Sequence, residues 1–334
     1  MNILLTSVGR RAYMVKYFKE VLMEDGEVHV CNSDDNTVAF CYADKCVISP
    51  LIYSEEYIPF LLEYCKVNKI DVLISLFDMD LLILARNKDR FLEVGTRVVV
   101  SDASVIEVCN DKWKTYQFLK ENNFHVPKTY LSLDDALRAI KNKQLEYPLV
   151  VKPRFGCGSI SVSIAENETD LVYYYNKSER MIRSSYLKYE SSAEEHIVIV
   201  QECLKGQEYG ADIINDLDGN ICQVNLRKKI AMRAGETDVA QTIDNKKIEK
   251  ELMRLGGLTK HIANMDADIF LVNDVPYILE LNARFGGGYP FCHVAGCNLP
   301  LAIINWISGM DVPEEILKSK EGIKGFKELY ITPM

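Results

Sequence analysis

Residues 278–289 read ILELNARFGGGY. An apolar run carries Glu280, Asn282 and Arg284 at every second place, then breaks into three glycines. Alternate residues of a strand share a face. Glu280 and Asn282 therefore turn their oxygens toward one point, which suits a hard cation such as Mg2+. Asp268, in the preceding run DADIFLVND, faces Glu280 if the two runs pair as a hairpin. Two carboxylates so placed repel unless a metal ion or a proton lies between them. Arg284 extends the face and has the fork that grips a phosphoryl group. The structural alternative is an arginine–carboxylate network under a glycine turn, an arrangement rarely needed for stability.

Two upstream stretches carry further candidates. In VVKPRFGCGSISV, Lys152 lies inside an apolar strand, where its charge needs an anionic partner. Gly156, Gly158 and Ser159 follow; glycines let backbone N–H groups approach a phosphate, and the hydroxyl adds a donor. No lysine follows the loop, so it is not a Walker A site. The other reading is a lysine at a strand end beside an ordinary hairpin turn. In VIVQECLKGQEYG, Glu202 and Glu208 flank a turn after an apolar strand. A strand broken there offers a carbonyl and an N–H to a base edge, and a nearby carboxylate accepts from a ribose diol. Taken alone, the two acids read better as a pair of solvated charges.

These groups need elements to hold them. NILLTS, EVHVCNSD, DVLISL and RVVVS read as strands. Between them, Tyr13, Met14, Tyr17, Phe18, Val21 and Leu22 share one helical face within 10–23, and further helices fall near 55–67 and 79–92. Such alternation predicts a parallel, doubly wound sheet over residues 1–105. The turn SVGRRA has one glycine where a dinucleotide fingerprint has three, so Asp34 after the second strand is weak evidence for a nicotinamide site.

Residues 106–190 form a second unit: a helix from 112 with Asn110 or Asp111 as N-cap, the YPLVVKP–ISVSIA hairpin, and a helix running into a polar, mobile loop. Residues 191–334 read as a third, antiparallel unit whose strands include HIVIVQECL, EYGADIIND, ICQVNLRKKI, ADIFLVND and PYILELNA. Helices are expected at 246–264 and 299–308.

The chain has 334 residues, 48% hydrophobic and 26% charged, enough for two or three domains. A net charge of −9 argues against nucleic-acid binding as the main role. No run approaches ~18 apolar residues and the N-terminal run is too short for a signal peptide, so a cytoplasmic protein without membrane contact is expected. The ten cysteines are scattered and form no C-x-x-C pair, and most read as reduced core residues. Cys292, His293 and Cys297 are a weaker metal candidate.

In this order the pieces resemble the ATP-grasp superfamily of carboxylate–amine ligases, and most of all the stand-alone enzymes similar to the large chain of carbamoyl phosphate synthetase. The resemblance rests on VVKPRFGCGS, QECLKGQEYG and DIFLVNDVPYILELNARFGGGYP. It implies an α/β and α+β chain, a Rossmann-like pre-ATP-grasp domain followed by the two-part ATP-grasp fold. It implies Lys112 and Lys152 on ATP phosphates beneath a loop with Gly156, Gly158 and Ser159. The backbone of Glu202 and Leu204 would meet adenine, and Glu208 the ribose. Asp268, Glu280 and Asn282 would hold Mg2+ or Mn2+, and Arg284 would stabilise the transferred phosphoryl group. Lys228, Lys229 and Arg233 are candidates for the triphosphate or a substrate carboxylate. Ala283 stands where the family often has proline. The implied reaction joins a small-molecule carboxylate to an amine through an acyl-phosphate. The first domain, the loop at 184–195 and the GGGYPFCHVAGC turn would form the acceptor pocket, with Arg10 and Arg11 as carboxylate ligands or as charges opening a surface helix. A homodimer is in keeping with the family, and the tail FKELYITPM carries no sign of a biotin-carboxylase extension, a second synthetase half or an amidotransferase domain. The rivals are a bicarbonate-dependent carboxyphosphate enzyme and a non-catalytic nucleotide-binding module.

Overall fold

The computed structural model describes residues 1–156, 161–192 and 194–333, which form three sheets. The first holds β1 (Ile3–Thr6), β2 (Val28–Asn32), β3 (Lys45–Ile48), β4 (Val72–Ser75) and β5 (Arg97–Val98), all parallel, in the order β3-β2-β1-β4-β5. Its central strands β1 and β4 are buried throughout because both faces are covered. Ile3 and Leu5 pack with Met14 and Phe18 of α1 (Ala12–Leu22), while Leu4 joins Leu61 of α2 (Tyr57–Asn68) on the other side. The helix expected over 79–92 is two, α3 (Asp78–Ala85) and α4 (Lys88–Glu93); between them the Asn87 amide donates back to the Ile83 carbonyl.

Helices α5 (Ala103–Asn110) and α6 (Lys112–Glu121) lead to a four-stranded sheet of β6 (Thr129–Tyr130), β7 (Leu149–Pro153), β8 (Ser163–Ala165) and β9 (Val198–Glu202), ordered β6-β9-β7-β8. The N-cap of α6 is Asp111, whose carboxylate accepts from the backbone of Trp113 and Lys114. Strand β9, expected in the third unit, instead pairs with β7 and β6. Helices α7 (Leu133–Lys141) and α8 (Glu168–Ser184) pack on this sheet. The loop expected to be mobile over 184–195 contains α9 (Leu187–Glu190), pinned to the first unit where Tyr53 stacks on Tyr189 at 4.3 Å and donates to Glu190 at 3.2 Å.

The third sheet is antiparallel: β10 (Gln207–Asn215), β11 (Ile221–Arg233), β12 (Glu236–Ile243), β13 (Asn264–Val272), β14 (Val275–Asn282) and β15 (Lys324–Phe326), ordered β14-β13-β10-β11-β12-β15. Strand β12, which the sequence reading leaves unassigned, forms a long hairpin with β11. Helix α10 (Lys246–Thr259) covers one face through Ile248, Leu252 and Leu255. The expected turn after Gly288 is a buried helix, α11 (Tyr289–Val294). With α12 (Leu299–Ile307) and α13 (Glu314–Leu317), it joins the core on the α1 side of the first sheet, so the end of the described chain packs against its beginning. Phe18, Tyr289 and Ile303 are fully buried there; each such side chain contributes roughly 1.5–3 kcal/mol.

Candidate active site

The site is built on the β13–β14 hairpin. Asp268 lies opposite Glu280, and Asp266 opposite Asn282. The pairing skips Leu279, because Asp268 pairs with Glu280 and Ile269 with Ile278. Leu279 is thus the extra residue of a β-bulge. The bulge matters because Ile278 faces the core at 2% exposure. Simple alternation would send Glu280 into that core; the inserted residue turns Leu279 and Glu280 both toward a cavity of about 400 Å³.

That cavity lies between the four-stranded and six-stranded sheets. Val150, Val162, Ile164 and Leu187 form apolar wall on one side, and Met232, Phe270 and Leu279 on the other. The slot suits a flat ring. Gln201, Glu202, Cys203 and Leu204 line its edge where the chain leaves β9. The Glu202 N–H donates to the Lys128 carbonyl at 2.8 Å, and its carboxylate accepts from the Lys128 N–H at 3.1 Å.

Charged groups line the remainder. Lys152 comes from β7, Lys112 from the first residue of α6, and Lys229 from β11, all lining the cavity with Glu208, Asp268 and Glu280. The Lys112 ammonium is 3.3 Å from Glu280 and donates to the Gly156 carbonyl. Lys229 bridges Glu208 and Asp268 at 2.6 Å to each. Burial pulls the Lys152 ammonium down to about 8, against the opposing pull of Glu280. Burial pushes the Asp268 carboxyl up to about 6, with Lys229 drawing it back down.

One support could not be read from residue types alone. Arg154, 5% exposed, makes a bidentate pair with the capping Asp111 at 2.8 and 2.7 Å. The Lys112 N–H also donates to the Arg154 carbonyl at 3.0 Å. The pair fixes the start of α6 to the end of β7 and so places both lysines. The motif KPRFG held the signal: an arginine two residues after Lys152. Gly156 has φ +92°, and a Cβ there would meet Leu187 at 2.5 Å, so the turn requires glycine twice over.

Lys112, Lys152, Gly156, Glu202, Leu204, Glu208, Asp268 and Glu280 are thus brought together around one cavity. Gly158 and Ser159 lie outside the described residues. Asn282 lines a small recess beside Glu280, Gly156 and Asp78. Arg284 departs from the shared face expected for it: β14 ends at Asn282, and the Arg284 N–H donates back to the Asn282 carbonyl at 2.8 Å. Its guanidinium turns to α3 and holds Asp78 at 3.0 and 2.7 Å. Arg233 is not among the cavity residues either. It sits at the tip of the β11–β12 hairpin, held by Asp238 and the Lys327 carbonyl. Lys228 is exposed, since strand alternation opposes it to Lys229.

The donors facing the cavity edge are the oxygens of Asp268, Glu280 and Asn282. Both carboxylates are compensated by ammonium groups, so the position already takes positive charge. Oxygen donors of this kind fit a hard cation that shares its remaining coordination with a ligand's oxygens. Among the described residues, no three His, Cys, Asp or Glu side chains gather as a metal cluster. The Cys292–His293–Cys297 candidate is instead part of the packing: the His293 ring stacks on Tyr17 at 3.6 Å, Nδ1 lies 3.1 Å from the Tyr289 hydroxyl, and both cysteines are buried.

The chain is similar to known proteins over most of its length. A family model described as an ATP-grasp domain matches residues 109–288, more than half of the chain, and one described as a PylC-like N-terminal domain matches residues 3–99. The chain belongs to the ATP-grasp family. It is 24% identical over 297 residues to the carbamoyl phosphate synthase large chain of Pseudothermotoga lettingae, covering 84% of this chain and 25% of that one. It thus spans about a quarter of the length of the curated relatives it matches. Among solved structures, the biotin carboxylase domain dimer of 2-oxoglutarate carboxylase from Hydrogenobacter thermophilus, in complex with MgADP, ADP and bicarbonate, superposes with a TM-score of 0.74 at 14% identity, covering 95% of this chain and 72% of that one. The L-amino acid ligase from Bacillus licheniformis gives 0.68 at 20% identity, with 95% and 78% covered. Among the described residues no helix is long and apolar enough to cross a membrane.

Proposed function

We propose that this chain is an ATP-dependent ligase that activates a small carboxylate as an acyl-phosphate and joins it to an amine. The observation that carries the reading is the single cavity in which Lys112 and Lys152 face the Asp268–Glu280 hairpin, with an apolar slot alongside. Phosphoryl transfer needs positioned charge more than covalent help. In this reading the slot takes adenine, Glu202 and Leu204 lie along its edge, and Glu208 leaves Lys229 to accept from the ribose. Lys112 and Lys152 hold phosphate oxygens. Asp268, Glu280 and Asn282 hold Mg2+, for which Mn2+ substitutes; the ion neutralises phosphate charge when bound. The acceptor carboxylate attacks the γ-phosphorus, ADP leaves, and the amine then attacks the acyl carbon and expels phosphate. Arg284 acts from its place beside Asp78 by holding the glycine turn, and Arg233 has no part in transfer.

The test is ADP release from MgATP with pooled carboxylates and amines. Release that requires both is expected. ATP binding with no release from any pool would favour a nucleotide-binding module. A second reading, formation of carboxyphosphate from bicarbonate, is favoured by the likeness to a biotin carboxylase domain seen with that ion. Stimulation by bicarbonate alone would select it.

A further inference from the structure

One face of the six-stranded sheet carries the same charged arrangement twice. Strand β10 lies between β11 and β13, so a side chain from β11 must cross β10 to reach β13. Arg227 of β11 does so deep in the fold: its guanidinium is 2.6 Å from Asp212 of β10 and 2.5 Å from Asp266 of β13. It passes over Gly210, where an added Cβ would lie 2.8 Å from its Nε. Further along β11, Lys229 repeats the bridge, 2.6 Å from Glu208 of β10 and 2.6 Å from Asp268 of β13. In each bridge a single cation serves a pair of carboxylates.

The two bridges differ in their surroundings. The Arg227 and Asp212 side chains are 1% and 0% exposed and stand apart from the cavity. Glu208, Lys229 and Asp268 all line it. An arginine fork sealed between carboxylates is a fixed tie, whereas a lysine ammonium is one point charge on a flexible stem and can move. The Lys229 bridge is therefore the one that a ligand can open.

What opens it follows from the charge around it. Asp268 and Glu280 oppose each other across the hairpin, and each already has an ammonium, Lys229 on the first and Lys112 on the second. A divalent cation entering alone must displace both, and the displaced ammonium groups stay in the same cavity, where like charges repel. A nucleotide reverses the balance. Ribose hydroxyls compete for Glu208, and phosphates give the lysines new counter-charge, so the hairpin carboxylates are released as the phosphates arrive.

We propose that Lys229 is the residue that makes the site selective for metal and nucleotide together: it keeps Asp268 closed to a metal ion until the phosphates of a nucleotide draw its ammonium away. This rests on the ligase reading above, which places the ribose at Glu208 and the ion at Asp268.

The test is Mn2+ titration of the nucleotide-free full chain, read by calorimetry and by the melting midpoint, beside titration with ADP alone. Wild type is expected to bind Mn2+ weakly and to melt at the same midpoint with and without it, while ADP binds. Lys229→Gln should bind Mn2+ at least about tenfold more tightly and be stabilised by it, because the ion replaces the lost ammonium. Lys229→Arg keeps a cation in place and should keep the exclusion. If Lys229→Gln folds poorly, Glu208→Gln/Lys229→Gln removes one charge of each sign and reads the same gain at Asp268. Tight Mn2+ binding by nucleotide-free wild type, an unchanged Mn2+ affinity in the glutamine variant, or a gain shared by Lys229→Arg would overturn the proposal. A glutamine variant that gains Mn2+ in a chain that binds no ADP, with or without the metal, would instead sink the ligase reading and leave the guarded cation site standing.

Discussion

At the scale of single residues, Lys152 carries the most direct consequence. Its ammonium falls from an ordinary value of 10.5 to about 8 because it is buried. Phosphate binds the charged form, so ATP affinity should weaken as pH rises through 8, by up to about tenfold per unit. Lys152→Arg stays charged and should flatten the profile, whereas Lys152→Ala should lose nucleotide at every pH. Stability runs the other way. Between about 8 and 10.5 the unfolded chain holds a proton that the folded lysine has released, so this group's contribution to stability rises with pH over that window. Calorimetric affinities and melts across pH 7–10.5 separate the two slopes. An affinity profile unchanged by Lys152→Arg would remove Lys152 from the phosphate site. The lysine was legible in the sequence because a charge inside VVKP demands a partner. Its titration was not, because that depends on how much water the two facing sheets exclude.

At the scale of elements, the β14 bulge decides which way the chemistry points. Glu280 and Ile278 have the same parity, and one extra residue separates their faces. Deleting Leu279 should restore regular alternation, drive Glu280 toward the core and leave a carboxylate there without its lysine. We expect MgADP binding to vanish and the melting midpoint to fall, since burying an unpaired charge costs several kcal/mol. Leu279→Ala keeps the residue count and should cost only a few-fold in affinity through lost contact with the bound ring. Deletion that leaves MgADP affinity intact would show that the bulge does not orient Glu280. The hairpin itself was readable from two apolar runs around NDVP, whereas the inserted residue was not, because a bulge has no fixed sequence signal. Strand β12 was missed for a related reason: ETDVAQTI, from Glu236 to Ile243, alternates poorly and is a strand because β11 and β15 flank it.

At the scale of the whole molecule, the Arg284–Asp78 pair joins residues 206 apart and ties the first unit to the end of the β13–β14 hairpin. Both side chains are buried. Asp78→Asn removes the nearer of the guanidinium's carboxylate partners, leaving Asp266 at 3.8 Å, and should destabilise the fold by about 3 kcal/mol. Pairing Asp78→Leu with Arg284→Met should recover much of that, because a packed apolar pair replaces a desolvated ionic one. Denaturant melts of the wild type and these two variants check both expectations. If Asp78→Asn melts normally but releases no ADP, Arg284 acts on the phosphoryl group and not as a clasp.

Four of the five strands of the first unit with α1 and α2, the β7–β8 and β13–β14 hairpins and Asp111 as one of two candidate caps followed from the sequence, because periodicity, caps and buried charge are local properties, whereas β3 went unseen and Lys112 and Leu204 entered only through the family resemblance. The tertiary structure decided the rest. Strand β9 went to the smaller sheet because β7 was there to pair with it. Arg284 left the hairpin face because Asp78 waited across a fold boundary, and Lys229 entered the site because Glu208 and Asp268 converge only once β10, β11 and β13 lie side by side. These outcomes depend on partners distant in sequence, and a charge takes the position where its counter-charge and its burial are both satisfied.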